Sequence, residues 1–172
     1  FWRVPDSVAQ LDVFPRLVKE PEYLEKEKIR VVMNDFNGPE IDATAIDWSM
    51  ADASKVKLRQ EPGPQNALGL VRIDMQNEHG VYMHDTPHQE SFGRNVRFES
   101  SGCVRIDQVK TVVDWILQGE LDVDMMQVEM VQANVEPYDL KVENGPDVRL
   151  MYLTAWATED GRVNFRNDIY GL

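Results

Sequence analysis

The chain has 172 residues, of which 42% are apolar, and this is enough for one domain with a hydrophobic core. Its 30 acidic and 18 basic residues give a net charge of −12, which argues against nucleic-acid phosphates or an anionic membrane surface as the main partner. No apolar run approaches the length of a membrane span, and a single cysteine leaves the redox compartment open.

The N-terminal part of the chain predicts two helices followed by a strand. Apolar side chains recur at helical spacing over residues 7–20, although Pro15 favours a split in the middle of that helix. Residues 21–28 predict a second, short helix that begins with a proline. Residues 29–33 are rich in β-branched side chains and predict a strand.

The middle of the chain predicts loops and then two neighbouring strands. Residues 34–61 are polar and irregular, so we expect loops around short elements near Trp48 and residues 56–58. Residues 68–75 alternate apolar and polar side chains and predict a strand. After the next turn, residues 80–84 predict a neighbouring strand. Because side chains alternate along it, His84 and Tyr82 would share one face at the strand end, where side chains can reach a cleft.

The second half of the chain predicts further helices and a hairpin. Asp107 is a plausible N-cap for a helix that Gly119 would end, and residues 122–132 predict another helix. The cysteine would then lie in the turn before a helix, where the helix dipole favours a thiolate. Residues 148–157 predict a strand, with residues 163–165 pairing back across a glycine-containing turn.

The most informative segment contains Cys103, the one cysteine in the chain. It lies in the run Ser100-Ser101-Gly102-Cys103-Val104-Arg105, downstream of His84-Asp85-Thr86-Pro87. A free thiol is a useful nucleophile near neutral pH only when a neighbouring base or positive charge favours the thiolate, and His84 is a candidate base. The alternative is a small buried hydrophobe and an unrelated structural histidine. Gly102 favours the interpretation of Cys103 as a nucleophile, because the glycine backbone can turn tightly and bring an N–H to a ligand.

Arg105 has two interpretations. Its guanidinium could grip a substrate carboxylate in a forked geometry, or it could form a buried salt bridge that holds the Cys103 turn in shape. A metal site is disfavoured, because Pro87 breaks the helix that would align His84 with His88, and no cysteine or glutamate completes a ligand spacing with them or with His79.

The histidine, the interval that follows it and the Ser-Ser-Gly-Cys-Val-Arg run resemble the signature of the L,D-transpeptidases with a YkuD catalytic domain. That signature is a histidine followed by Ser/Thr-x-Gly-Cys-aliphatic-Arg. Other parts of the chain are similar to the long periplasmic subgroup of this family. They include Trp2-x-Val4-Pro5-x-Ser7, Gln60-x-Pro62-Gly63-x-x-Asn66-x-Leu68-Gly69, Phe92-x-Arg94-x-Val96-Arg97, Tyr152-Leu153-Thr154-Ala155 and Asp168-Ile169-Tyr170.

The resemblance implies a mixed α/β fold with a sheet or sandwich core and flanking helices, formed by residues 1–172 as one catalytic domain. Relatives carry further strands before the segment that begins at Phe1, so we expect an upstream segment or another chain to complete the sheet. Residues 85–100 resemble the substrate-covering lid of the subgroup, and the alternative is an ordinary charged surface loop. The resemblance also implies the periplasm of a Gram-negative bacterium and no cofactor.

The resemblance further implies a role for each motif residue. Cys103 is the nucleophile, His84 is the general base, and the backbone carbonyl of Asp85 orients the imidazole. The N–H groups of Gly102 and Cys103 stabilise the oxyanion, while the Asp85 side chain is either solvated or a cap. The expected substrate contacts are Arg105, Tyr82, Ser101, Phe92 and Arg97.

The implied reaction is transfer from a peptidoglycan tetrapeptide stem. The thiolate would attack the third residue, release D-alanine and pass the acyl group to a second stem, giving a 3→3 cross-link, or to a protein that becomes attached to the wall. Two alternatives stay open: a hydrolase on the same scaffold, acting as an L,D-carboxypeptidase or amidase, and a non-catalytic wall-binding domain. The sequence leaves the acceptor and the oligomeric state open.

Overall fold

The computed structural model describes residues 1–97, 100, 102–117 and 139–171. They form a mixed α/β fold with short helices and three small sheets, which confirms the predicted fold class. The helix predicted over residues 122–132, the helix end predicted at Gly119 and the substrate contact predicted at Ser101 lie outside the described residues. Nowhere in the described ranges is there a helix with the length and apolar character needed to cross a membrane.

The chain begins with strand β1 (Trp2–Arg3), followed by an interrupted helical run. Helix α1 (Asp6–Val8) leads into a π-helical turn (Ala9–Val13), and helix α2 (Phe14–Leu17) continues from it. In the π turn the Phe14 N–H donates to the carbonyl of Ala9, five residues back. The next residue, Pro15, has no N–H to offer, so the α-helical ladder cannot continue without interruption. The split predicted from Pro15 is therefore present as a widened turn.

The first sheet consists of β1, β2 (Ile29–Met33) and β3 (Val56–Gln60), in the order β1-β3-β2 with antiparallel pairing. Helix α3 (Tyr23–Lys26) precedes β2 and is shorter than the predicted 21–28, because Lys28 has a φ of 53°, which is outside the helical region. The short element predicted at residues 56–58 is confirmed, and it forms part of the central strand of this sheet.

The largest hydrophobic core lies against the first sheet. Alternate side chains of β2 and β3 point into it, and Leu58 on the central strand is 0% exposed. Helix α2 contributes the buried Phe14 and Leu17, and the Phe14 ring packs at 5.4 Å from the ring of Trp48. Among the described residues this is the larger of the two apolar clusters, so its burial should contribute strongly to stability.

The second sheet consists of β4 (Arg72–Asp74), β5 (Tyr82–His84) and β6 (Val104–Arg105). Strands β4 and β5 are antiparallel, whereas β5 and β6 are parallel. The strand predicted over residues 68–75 is confirmed only for Arg72–Asp74. Gly69 has a φ of 58° and its N–H donates to the Asn66 carbonyl at 2.8 Å, so the chain turns there before the strand begins.

Helix α4 (Val109–Leu117) packs against the second sheet. Its buried Val109, Val113 and Leu117 contact the side chains of Val71 and Ile73, among others. Two expectations about this region are wrong. The helix begins after Gln108, whose φ is 52°, so Asp107 is not the residue that flanks it. Cys103 precedes strand β6 rather than a helix, so the helix dipole does not act on its thiol.

The C-terminal hairpin pairs β7 (Ala155–Ala157) with β8 (Val163–Phe165), as predicted for residues 163–165. The earlier part of the strand predicted over 148–157 is not in a strand. Gly161 adopts a φ of 81° in the connecting turn. The hairpin and its flanks expose large apolar side chains, namely Val148, Leu150, Met151, Tyr152, Leu153, Val163, Phe165, Ile169 and Tyr170.

Candidate active site

The register of the second sheet places the predicted catalytic side chains on one face. Met83 is aligned with Val104 and His84 with Arg105, so continuing the register by one residue aligns Tyr82 with Cys103. Because side chains alternate along each strand, Tyr82, His84, Cys103 and Arg105 share a face. The opposite face carries Ile73, which packs towards helix α4. One side of this small sheet is therefore structural, and the other carries the reactive groups.

His84 is buried at the end of β5, and its Nδ1 lies 2.5 Å from the backbone carbonyl of Asp85. A carbonyl can only accept a hydrogen bond, so Nδ1 must carry the proton, and Nε2 of the neutral ring keeps its lone pair. Burial lowers the pKa of His84 below its usual value, and the positive charge of Arg105 acts in the same direction. The contact expected between His84 and the Asp85 carbonyl is present, and its catalytic role stays a prediction.

Tyr82 is aligned with Cys103 across the strand pair. Its phenol interacts with the Cys103 thiol and with the indole of Trp2. Burial, followed by the nearby Cys103, raises the pKa of Tyr82 to about 12, so the phenol stays protonated at neutral pH. The guanidinium of Arg72 lies 4.8 Å from the centre of the ring.

Cys103 is a half-buried free thiol. Among the hydrogen bonds formed between residues of the described ranges, none joins its sulfur to the imidazole of His84. The phenol of Tyr82 interacts with the thiol, and its ring lies edge-on to the imidazole with 5.8 Å between ring centres. Thiol, phenol and imidazole therefore form one cluster, in which Tyr82 lies next to both partners.

The turn before Cys103 is held by a side chain that the sequence analysis did not single out. The hydroxyl of Ser100 donates to the Cys103 carbonyl at 2.7 Å and accepts from the Gly102 N–H at 3.4 Å. Gly102 has a φ of 128°, a conformation that favours glycine. The long contact leaves the Gly102 N–H weakly bonded, so a stronger acceptor could displace the hydroxyl. Its role in an oxyanion hole stays a prediction.

The predicted substrate contacts fall into different settings. Arg105 is half-buried in β6, directly aligned with His84. Phe92 is half-buried in a 3₁₀ helix, Gln89–Gly93, within the loop predicted as a lid. Arg97 is exposed, and its Nε donates to the carbonyl of Arg94 at 2.8 Å, which fixes it to its own loop.

The first part of the predicted lid is anchored at its base. Thr86 is 1% exposed and its hydroxyl accepts from the His88 N–H at 3.2 Å. Ser91 is buried, and its hydroxyl donates to the His88 carbonyl at 2.7 Å. This part of the loop is therefore more ordered than a simple solvated loop, while its action as a lid stays a prediction. Across the described ranges, no three His, Cys, Asp or Glu side chains converge as metal ligands.

Comparison with known proteins identifies the family. Residues 1–130 match the YkuD family model, described as an L,D-transpeptidase catalytic domain. This match covers most of the chain, which therefore belongs to the YkuD family of L,D-transpeptidase catalytic domains. A Haemophilus influenzae protein named "Putative L,D-transpeptidase" is 29% identical over 171 residues, covering 99% of this chain and 34% of that protein. The chain thus spans about a third of the length of the curated relative it matches.

Proposed function

We propose that this protein is a peptidoglycan L,D-transpeptidase that acts in the periplasm through a cysteine acyl-enzyme. The donor is a tetrapeptide stem, the leaving group is D-alanine, and the acceptor is an amine on a second stem or on a wall-attached protein. The observation that carries the proposal is that the free Cys103 thiol and the His84 imidazole lie on the same face of the second sheet, on neighbouring strands. Tyr82 lies beside the thiol, and the lowered pKa of His84 favours its neutral form.

Acylation would proceed as follows. Nε2 of His84 takes the thiol proton, and the Cys103 sulfur attacks the carbonyl carbon of the third stem residue. The Gly102 and Cys103 N–H groups and the Tyr82 hydroxyl are the donors available to the oxyanion. The imidazolium then gives its proton to the departing amine of D-alanine, the carbon–nitrogen bond breaks, and a thioester remains. The Asp85 carbonyl accepts the Nδ1–H hydrogen bond throughout. Nε2 is therefore the nitrogen that both takes the thiol proton and gives it to the leaving amine.

Transfer reverses this sequence with a different amine. The acceptor amine loses a proton to Nε2 of His84 and attacks the thioester, and the Cys103 sulfur leaves and recovers a proton from the imidazolium. With water as acceptor, the product would be the free tripeptide instead. Because the low pKa of His84 keeps the ring neutral at physiological pH, it can begin each half-reaction as a base.

The decisive experiment incubates the purified protein with disaccharide-tetrapeptide and measures the product masses. A cross-linked dimer formed with loss of one alanine supports the proposal. Loss of alanine without a dimer indicates a hydrolase, and an unchanged tetrapeptide indicates a non-catalytic wall-binding domain. The Cys103→Ala variant must lose all product formation.

Acylation can be measured separately with a carbapenem, whose strained carbonyl would leave a covalent mass on Cys103. We expect an adduct in the wild type, none in Cys103→Ala and a strongly slowed reaction in His84→Gln. His79→Gln is the matched control, because His79 is exposed in the turn that connects β4 and β5. An adduct that forms at the wild-type rate in His84→Gln would exclude the imidazole as the base.

A further inference from the structure

We propose that the carboxylate of Asp85 is a positioning group that locks the peptide plane bonded to His84 and connects it to the predicted lid. The carbonyl of Asp85 has the role described above, and its side chain has a separate one. The consequence for catalysis depends on the proposed function, whereas the positioning itself can be measured at the imidazole.

The carboxylate is buried and each of its oxygens has a protein donor. Oδ2 accepts the backbone N–H of Leu70 at 2.8 Å. Oδ1 accepts the side-chain amide of Gln89 at 3.0 Å, and the same amide nitrogen donates to the Thr86 carbonyl at 2.6 Å. Gln89 begins the 3₁₀ helix of the predicted lid, so the carboxylate bridges the turn before β4 and the start of that helix.

The backbone of Asp85 is fixed as well. Its N–H donates to the Val71 carbonyl at 2.9 Å, and its carbonyl accepts from Nδ1 of His84. Every polar group of this residue is therefore bonded, and the bonds reach the adjacent His84 and two other segments of the chain, at residues 70–71 and at Gln89. A peptide plane held at this many points presents its carbonyl to the imidazole in one orientation, which favours one tautomer.

Gly69 provides an independent sign that the space is built around the carboxylate. A Cβ at position 69 would overlap Asp85 Oδ2 and would lie 2.7 Å from Asp85 Cβ. Such distances are too short for any side chain, so the carboxylate can occupy this position only because residue 69 is a glycine. The φ of 58° at Gly69 also brings the next N–H, that of Leu70, towards the carboxylate.

An amide cannot replace the carboxylate here. The two donors, Leu70 N–H and the Gln89 amide, require two acceptor oxygens, and asparagine has one. Turning the Gln89 amide over would place its oxygen against the Thr86 carbonyl. An Asp85→Asn substitution therefore leaves two donors facing each other in a buried site.

The substitution also removes a negative charge next to the imidazole. Asp85 raises the pKa of His84, opposing burial and the charge of Arg105. The titratable and charged groups that face the imidazole from β4, β5, β6 and its own loop are Arg72, Tyr82, Cys103, Arg105 and Asp85. With the Asp85 charge gone, burial and the charge of Arg105 hold the pKa of His84 still lower.

The test is ¹⁵N NMR of the histidine side chains as a function of pH. In the wild type we expect neutral His84 to be almost entirely the Nδ1–H tautomer. In Asp85→Asn we expect a detectable Nε2–H population and a lower His84 pKa. Glu90→Gln is the matched control, because it removes a charge from the same loop and Glu90 is exposed, with its carboxylate 3.4 Å from the exposed His88. This control should leave both the tautomer ratio and the pKa of His84 unchanged.

A second variant separates position from charge and covers the case in which Asp85→Asn fails to fold. Gly69→Ala keeps the carboxylate but displaces it, so the tautomer ratio of His84 should shift although the charge is intact. If His84 keeps its tautomer and pKa in folded Asp85→Asn, or keeps its tautomer in folded Gly69→Ala, the positioning role is wrong.

Activity gives a separate readout. In Asp85→Asn the acidic limb of the carbapenem acylation profile should move to lower pH, while the plateau rate falls about 10- to 100-fold, as when a partner that orients a histidine is lost. A protein that shows the NMR changes but acylates no substrate would contradict the proposed function and leave the positioning role supported.

Discussion

The two three-stranded sheets of this protein are built for different purposes. The first sheet has two five-residue strands, β2 and β3, with alternate side chains buried in the largest core of the molecule. The second sheet has strands of two or three residues, and one of its faces carries His84, Tyr82 and Arg105. Polar groups are buried at its end, where Asp85 and Thr86 follow β5.

The difference shows how a small domain can hold buried polar side chains in place. Buried polar side chains stabilise little in net terms and require satisfied partners, so they depend on neighbouring structure that is stable without them. Here the indole of Trp2, in the first sheet, interacts with the phenol of Tyr82, in the second, and this links the stable region to the reactive one. Stability and chemistry should therefore respond to different substitutions.

The largest expected effect on stability comes from the first sheet. Leu58→Ala removes a side chain that is 0% exposed on the central strand and should lower the free energy of unfolding by about 2–5 kcal/mol. Urea denaturation measures this loss. Leu11→Ala is the control, because Leu11 is 74% exposed and its truncation should cost at most about 0.5 kcal/mol.

The same variant tests whether the two sheets are separable. At a temperature well below unfolding, the acylation rate of Cys103 in Leu58→Ala should equal that of the wild type. A reduced rate in fully folded protein would mean that the core of the first sheet also sets the geometry of the second.

The second sheet gives the next largest effect, and this one acts on chemistry. Tyr82→Phe keeps the ring but removes the hydroxyl that contacts Cys103. A hydrogen bond to a charged acceptor is worth about 1.5–3 kcal/mol, so acylation should slow by roughly 10- to 100-fold. Tyr152→Phe is the control, since that hydroxyl bonds to Asp168 at 2.8 Å in the C-terminal region. Equal rates for the two variants would remove Tyr82 from the mechanism.

Much of the site could be predicted from the sequence because it depends on local patterns. The alternation at residues 80–84 predicts that Tyr82 and His84 share a face, and the interruption at Pro15 predicts a split helix. Both patterns act within a few residues, and the structure has both features. The family resemblance supplied the roles of Cys103 and His84, which alternation alone does not reveal.

The rest depends on contacts between distant parts of the chain. The parallel pairing of β5 with β6 aligns Tyr82 with Cys103, and no periodicity indicates which strands become neighbours. The prediction that Cys103 precedes a helix is wrong, because Val104 and Arg105 pair with β5 as strand β6 before α4 begins. The predicted strand begins later than expected, because the chain turns at Gly69, where the Leu70 N–H donates to the buried Asp85 carboxylate.

The pH dependence of stability distinguishes the sheets more finely. His84 has a lowered pKa in the folded protein, so the unfolded chain takes up the proton first as the pH falls below about 6.5. Stability contributed by neutral His84 is therefore complete above that pH and is lost as the pH falls towards the folded pKa. The loss cannot exceed about 1.4 kcal/mol per pH unit for one group.

Urea denaturation between pH 5 and pH 8 measures this slope. His84→Gln should flatten it, whereas His79→Gln should leave it unchanged because His79 is exposed. A slope that survives in His84→Gln would come from other titratable groups, and neutral His84 would then not be the source of the acid sensitivity.

The smallest expected effect concerns the turn that carries Cys103. Ser100→Ala removes the hydroxyl that bonds to the Cys103 carbonyl and the Gly102 N–H. Because Ser100 is exposed, the loss should be about 1 kcal/mol, which corresponds to a roughly fivefold slower acylation if it acts on the turn geometry. Ser49→Ala is the control, since its hydroxyl closes a similar local turn with Asp47 far from the second sheet in sequence. If the Gly102 N–H is a better oxyanion donor once the serine hydroxyl is gone, Ser100→Ala will accelerate acylation. A slower rate would show that Ser100 supports the oxyanion site, and a faster rate that its hydroxyl competes for the Gly102 N–H.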